Sequence, residues 1–457
     1  MTEARSLLNS ARFRAAKKEL LEAISEGSAR VRNLKAASSP ETREAYSKTL
    51  TEFHRDRGRD LYFPFLSSGL GAGPFIELED GSVKYDMITG IGINFFGHTH
   101  PALMAEMIDG LPADIMQGNL QPGYEARELI RAVLARVGAG SRLSHGWLMC
   151  SGTMSNEIAL KMIRQKRAPA TKILAFRDAF HGRSTAMQEL TDNPGYRQGQ
   201  PVYGEVEYLP GYDPAASLEK NLQENLARMK EHLVRYPGKF AALLIELIQG
   251  EGGFTHGPRE FYVQLFDEAK KANLAIWLDE VQTFGRTGEL FAYQKFKLNE
   301  YVDVITIGKM LQACMVLFTD EYNPKPGLVA GTFSGSTVAL RTGRKVLELL
   351  ESGGYLGPDG KIAKLSEYFA TRLRALAEGR GKGKIGEVRA IGGMIGFVPH
   401  GGSMDEVKAT LMKLFDRGLV AFYCGHGPYL IRMLPSFGAM TEKDIDQVCE
   451  IIGEALQ

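Results

Sequence analysis

From Gly146 onward, short apolar runs alternate with longer stretches of helical period. The runs are Gly146–Cys150 (GWLMC), Lys172–Phe176 (KILAF), Ala241–Glu246 (AALLIE), Leu274–Asp279 (LAIWLD) and Val302–Ile307 (VDVITI). Continuous apolar runs of this length mark strands covered on both faces. Ser155–Gln165 and Arg259–Ala272 carry the helical pattern between them, and the repetition predicts an α/β domain around a mostly parallel sheet. Phe75–Met87 (FIELEDGSVKYDM) has a different pattern, predicting two short strands about an Asp80-Gly81 turn. Past Ser336, two long helical stretches precede short strands at Gly386–Arg389, Met394–Val398 and Tyr429–Met433, and a helix over Glu442–Ala455 closes the chain. This predicts a smaller α+β domain built from both chain ends. The expected division is a helical N-terminal segment over 1–60, a large domain over 61–335 and a small domain over 336–457. In the first of these, Ala36–Glu41 (AASSPE) reads as a loop whose Ser or Pro starts a new helix.

Composition narrows the class. Of 457 residues, 44% are hydrophobic and 24% charged, ordinary for a globular protein that needs neither metal nor disulfides for its core. With 55 basic and 54 acidic residues and no single-sign block, nucleic acid and anionic membrane are excluded as expected partners. Cys150, Cys314, Cys424 and Cys449 lack any C-x-x-C spacing, which fits a reducing compartment. No apolar run reaches the ~18 residues of a membrane span. Glu3, Glu19, Glu22 and Glu26 argue against a transit peptide. A cytoplasmic protein is expected.

In open α/β sheets, ligands bind outside the carboxyl ends of the strands, and the polar oddities of this chain gather there. Lys309 follows Val302–Ile307 and a glycine. A lysine past a strand end is ordinarily a surface residue, but it is also where a Schiff-base amine would emerge. Asp279 ends the preceding strand, where a buried carboxylate needs a cation. A helix cap or a pair with Arg286 would answer that need. So would the pyridine nitrogen of pyridoxal 5′-phosphate, an electron sink only while protonated. The two strand ends are consecutive, so both side chains are expected at one crevice.

The motif SGTMSNE opens a helix directly after WLMC, putting Gly152 and Thr153 at an N-terminus suited to phosphate or to simple capping. It is no Walker loop, and Gly69–Gly73 (GLGAG) completes no dinucleotide fingerprint. Phe180 is positioned to lie on an aromatic ring or in the core. Arg183 and Arg389 are candidates for a carboxylate fork, and Glu251 for an arginine partner. His98 and His100 (GHTH) have no accompanying metal-ligand pattern, and no metal is expected.

SGTMSNE, FHGR, IELIQGEGG, LDEVQTFGRTGELFAYQ and GK occur in an order and spacing that resemble class III, pyridoxal-phosphate-dependent aminotransferases. FIELEDGSVKYDMITGIGINFFGHTHP and LIRMLPSFGAMTEKDID are similar to that family's N-terminal hairpin and C-terminal strand and helix, so the resemblance runs from about Gly73 to the end. It implies a fold-type I homodimer with shared active sites. Lys309 would form the Schiff base and shuttle the proton, and Asp279 would sit at the pyridine nitrogen. Gln282 would contact the phenolic oxygen, with Val281 and Phe180 on either side of the ring. Gly152 and Thr153 would hold the phosphate together with Thr332 (GTFSGS) from the other subunit. Arg183 would bind a substrate carboxylate, Arg389 the α-carboxylate of a 2-oxo acid or glutamate, and Glu251 would be the movable partner of that arginine.

The implied reaction is ping-pong transfer of a terminal amine, of 4-aminobutyrate, lysine or ornithine type, to a 2-oxo acid such as 2-oxoglutarate. A same-fold aminomutase, decarboxylase or racemase is the alternative. Leu247 replaces the family's usual proline, and MLQACMVLFTDEYNPKPG after the lysine is closer to the lysine 6-aminotransferase and 4-aminobutyrate aminotransferase branches. Ile91 stands where 4-aminobutyrate enzymes carry isoleucine and ornithine enzymes tyrosine.

Overall fold

The computed structural model describes residues 2–457. Two compact units are formed, Ala113–Pro358 and the pairing of Met1–Pro112 with Asp359–Gln457. Residues 61–112, expected with the large domain, thus lie in the unit that holds both chain ends, and residues 336–358 lie in the other. Strand pairing explains the first difference. The hairpin strand Val83–Asp86 runs parallel to Leu419–Val420, so the hairpin belongs with the C-terminal elements.

The Ala113–Pro358 unit is built on a seven-stranded sheet. Its strands in chain order are β1 (Leu143–Met149), β2 (Lys172–Phe176), β3 (Val206–Leu209), β4 (Phe240–Ile245), β5 (Ala275–Glu280), β6 (Val304–Ile307) and β7 (Cys314–Thr319). Their spatial order is β1-β7-β6-β5-β4-β2-β3. All neighbours from β6 to β3 are parallel, and β7 alone runs against both of its neighbours. Every residue of β4, β5 and β6 is buried, as the continuous apolar runs require. The helix Gly152–Arg167 buries Ile158, Ala159, Met162 and Ile163 in a core with Ala242, Leu244, Trp277 and Val304. Burying each large side chain contributes roughly 1.5–3 kcal/mol.

The sequence pattern did not predict β3 or β7. The β3 segment VEYL carries a charge and is mostly half-exposed, so it lacks the apolar continuity of its neighbours. The β7 segment comes only a few residues after β6, with no helix between, which breaks the strand–helix rhythm. The other five strands fall within a few residues of expectation.

The other unit contains the meander Ser67–Ala72, Phe75–Leu78, Val83–Asp86, with Leu419–Val420 beside its last strand. A second, antiparallel sheet pairs Ile385–Ile391, Met394–Pro399, Leu430–Met433 and Phe422–Cys424 in that order. Helices Lys361–Glu378, Met404–Asp416 and Glu442–Ala455 accompany them. Near the N-terminus, Ser39 Oγ accepts from Thr42 N–H at 3.2 Å and Pro40 opens the helix Pro40–Arg57.

Candidate active site

The tips of β4, β5 and β6 lie side by side. Thr306 of β6 is the register partner of Asp279, and Ile307 of Glu280. Two residues on, Lys309 starts a short 3-10 turn, Lys309–Leu311, that reverses the chain into β7. Gln312 N–H closes the turn on Lys309 C=O at 2.9 Å. The Lys309 backbone itself is left-handed, with φ 46°, a conformation that costs a non-glycine residue about 1–2 kcal/mol. Strand pairing on both sides of the turn holds it there. Asp279 and Lys309 therefore stand on adjacent strand tips, as expected.

Asp279 is buried. Its Oδ2 accepts from Asn156 Nδ2 at 2.7 Å and from His181 Nδ1 at 2.9 Å, and its Oδ1 accepts from Val281 N–H at 3.0 Å. Burial pushes its carboxyl up most strongly, but the bonds from His181, Val281 and Asn156 together hold it below the usual carboxylate range. Among the described residues, no lysine or arginine lies within ion-pair distance of it. Arg286, the chain's candidate cation, is not its partner. His181 Nε2 is buried without a hydrogen-bond partner among the described residues, so the ring is held through Nδ1 alone. Asn156 in turn accepts from Thr306 Oγ1 at 2.7 Å, tying helix, β5 and β6 together.

Asn156 and His181 went unassigned in the sequence, though both lie inside quoted motifs. Asn156 comes four residues after Gly152, one helical turn in, and is the sort of polar residue that signals a buried partner when it faces a sheet. Next along the sheet, Glu246 accepts from Phe180 N–H at 2.9 Å and Gly250 N–H at 3.0 Å. Burial raises its carboxyl to about 7.

Ser151 caps the helix Gly152–Arg167 by accepting from Met154 N–H at 3.2 Å. A side chain at Gly152 would meet Val281 Cγ1 at 2.8 Å, so glycine there lets the helix N-terminus close onto the β5 tip. Gln282 Oε1 is buried and has no partner among the described residues. Arg183 is exposed, with its guanidinium 3.7 Å from the ring centroid of Tyr196 and 5.9 Å from that of Phe180. Glu251 Oε1 accepts from Tyr196 Oη at 2.8 Å. Thr332 is exposed.

Two expected site residues belong to the other unit. Arg389 is bonded bidentately to Glu387, at 2.8 Å from Nε and 2.7 Å from Nη2. Ile91 is 40% exposed and left-handed, with φ 62°. His98 Nε2 lies 3.0 Å from Asp86 Oδ2.

The family described as Aminotransferase class-III matches residues 63–456. This chain belongs to the class III aminotransferases. Acetylornithine aminotransferase of Aquifex aeolicus is 28% identical over 398 residues, covering 84% of this chain and 96% of the relative. The Bacillus subtilis acetylornithine aminotransferase is 30% identical over 400 residues, covering 84% and 93%. Among solved structures, lysine aminotransferase from M. tuberculosis superposes with a TM-score of 0.79 at 22% identity, covering 89% of this chain and 99% of that one. A Bacillus anthracis aminotransferase gives 0.80 at 18% identity, covering 92% and 99%. The fold is accordingly that of the fold-type I pyridoxal-phosphate enzymes.

As a class III aminotransferase the protein is a pyridoxal 5′-phosphate-dependent transaminase, and its residues fit that cofactor. Asp279 is a buried carboxylate kept acidic with no lysine or arginine of its own, as a carboxylate facing a protonated ring nitrogen must be. The orphaned Gln282 Oε1 and the N-terminus of a 16-residue helix at Gly152 supply further polar groups of the right kind.

Proposed function

We propose that this class III aminotransferase moves the terminal amine of an ω-amino acid to a 2-oxo acid, with 2-oxoglutarate as the acceptor, in two successive half-reactions. The observation that carries the donor class is Arg183. It is an exposed guanidinium held against an aromatic face, with no ion pair to a carboxylate among the described residues. Such a group suits the remote carboxylate of 4-aminobutyrate, lysine or ornithine. The names of the relatives, acetylornithine and lysine aminotransferases, agree with that class.

Pyridoxal 5′-phosphate, when bound, supplies an electron-withdrawing ring that accepts the electron pair left when the donor carbon loses its proton. In this reading Asp279 keeps the ring nitrogen protonated, with Asn156 and His181 orienting its carboxylate. Lys309 Nζ would hold the cofactor by its aldehyde carbon between turnovers and, once displaced from that carbon by the donor amine, would carry the proton that the donor carbon releases. Gly152 and Thr153 would hold the phosphate with Thr332 of a second subunit, Gln282 would meet the phenolic oxygen, and Val281 and Phe180 would flank the ring. Arg389 would receive the α-carboxylate of the acceptor on releasing its fork from Glu387, and Ile91 and Glu251 would shape donor choice.

A homodimer is proposed as well, supported by an apolar surface on the Ala113–Pro358 unit where Ile115 is 83%, Leu120 93% and Phe333 61% exposed. The cysteine spacing supports a cytoplasmic setting.

The test is spectroscopic. Purified protein is expected to absorb visible light, and borohydride is expected to fix the cofactor onto the peptide carrying Lys309; Lys309→Ala loses both. Adding 4-aminobutyrate, lysine, ornithine or N-acetylornithine singly should bleach that band, and 2-oxoglutarate should restore it. Sustained turnover without any 2-oxo acid would reassign the chain to the aminomutase or racemase class.

A further inference from the structure

Tyr196 stands on the segment Pro194–Arg197 in the excursion between β2 and β3, outside every motif that marks the family. Both ends of its side chain are engaged. Its ring lies 3.7 Å from the Arg183 guanidinium carbon, and its hydroxyl donates to Glu251 Oε1 at 2.8 Å. The Phe180 ring meets it edge-on, centroids 5.9 Å apart and planes at 90°. Tyr196 thereby joins three residues that bear on the site, one for the ring, one for the carboxylate and one for donor choice.

We propose that Tyr196 is a positioning residue that fixes the Arg183 guanidinium for a donor's remote carboxylate and so selects carboxylate-bearing donors over plain amines. The inference rests on Arg183 being the carboxylate site. A free arginine side chain has rotamer entropy to lose on binding. Stacking removes part of that loss in advance, because the aromatic ring takes the face of the guanidinium while a carboxylate binds in its plane. An acidic partner would have fixed Arg183 equally well but would have occupied the fork. The hydrogen bond to Glu251 and the edge contact with Phe180 hold the tyrosine ring at its angle, so the support does not swing away with the arginine.

The test measures binding to the holoenzyme of pentanoate, a carboxylate without an amine, and of uncharged pentanamide, by ligand-observed NMR titration. Tyr196→Leu is expected to weaken pentanoate about tenfold and to leave pentanamide nearly unchanged. Tyr196→Phe, which keeps the ring, is expected to recover most of the pentanoate affinity. Arg183→Gln is expected to abolish the preference for pentanoate. If Arg183→Gln weakens pentanoate while Tyr196→Leu does not, or if Phe rescues no better than Leu, the role of Tyr196 is overturned and that of Arg183 stands. If Arg183→Gln leaves pentanoate binding unchanged, the carboxylate site itself is misassigned and the proposal falls with it.

Discussion

At the scale of single residues, Asp279 and Glu280 are consecutive buried acids whose protonation is driven in opposite directions. Strand alternation sends their side chains to opposite faces. Asp279 meets Asn156, His181 and an amide. Among the described residues Glu280 accepts from two backbone donors, Ala292 N–H at 2.6 Å and Tyr293 N–H at 2.8 Å. Burial outweighs these and lifts its carboxyl from 4.5 to about 8. Between those two values the folded chain holds a proton that the unfolded chain has released. Stability therefore falls as pH rises through this window, by at most about 1.4 kcal/mol per pH unit from this group. Glu280→Gln removes the titration, so urea midpoints followed across the window should decline less steeply in the variant than in the wild type. The variant is expected to be less stable overall, since its amide nitrogen faces one of the two donors. The juxtaposition of Lys309 and Asp279 was legible in the sequence because each is polar at the end of an apolar run. Asn156 and His181 were not, because their meaning lies in bonds across the sheet that spacing does not encode.

Among elements, the turn that bears Lys309 is set by what packs on it. A side chain at Gly343, in the helix Thr337–Ser352, would run into the carbonyl oxygen of Leu311, the last residue of that turn. Gly343→Ala must therefore shift either the helix or the turn. We expect a loss of about 1–3 kcal/mol in stability. Visible absorbance retained after dialysis should also be lower than in wild type, whereas a helix-propensity effect alone would raise stability. An unchanged dialysis profile would show that the turn tolerates the move. The same locality explains which strands could be read in advance. Phe240–Ile245 and Ala275–Glu280 are apolar on both faces and announce themselves; Cys314–Thr319 is equally apolar, but its place beside β1 and β6 comes from an abrupt reversal at Lys309. The reversal uses left-handed backbone at Lys309 and Gln312, and neither residue type signals it.

For the whole molecule, exposed apolar surface bears on self-association and strand pairing on the division of the chain. Ile115, Leu120 and Phe333 are large apolar side chains left in water, and a second copy covering them would recover that area. Sedimentation of Leu120→Glu or Phe333→Glu is expected to show a concentration-dependent shift toward the monomer, with the wild type dimeric at the same concentration. No helix among the described residues is long and apolar enough to cross a membrane. Chain division was only partly readable, because the hairpin at Phe75–Asp86 is committed by a short parallel partner at Leu419–Val420, more than 300 residues away.

The lone antiparallel strand β7 has one more consequence. Because β6 and β7 are hydrogen-bonded neighbours joined by so short a reversal, Lys309 sits on a rim segment anchored by strand pairing on both sides. The remaining rim segments arrive by long excursions through helices. Descendants of this chain are thus free to lengthen, trim or exchange those excursions while the lysine keeps its address.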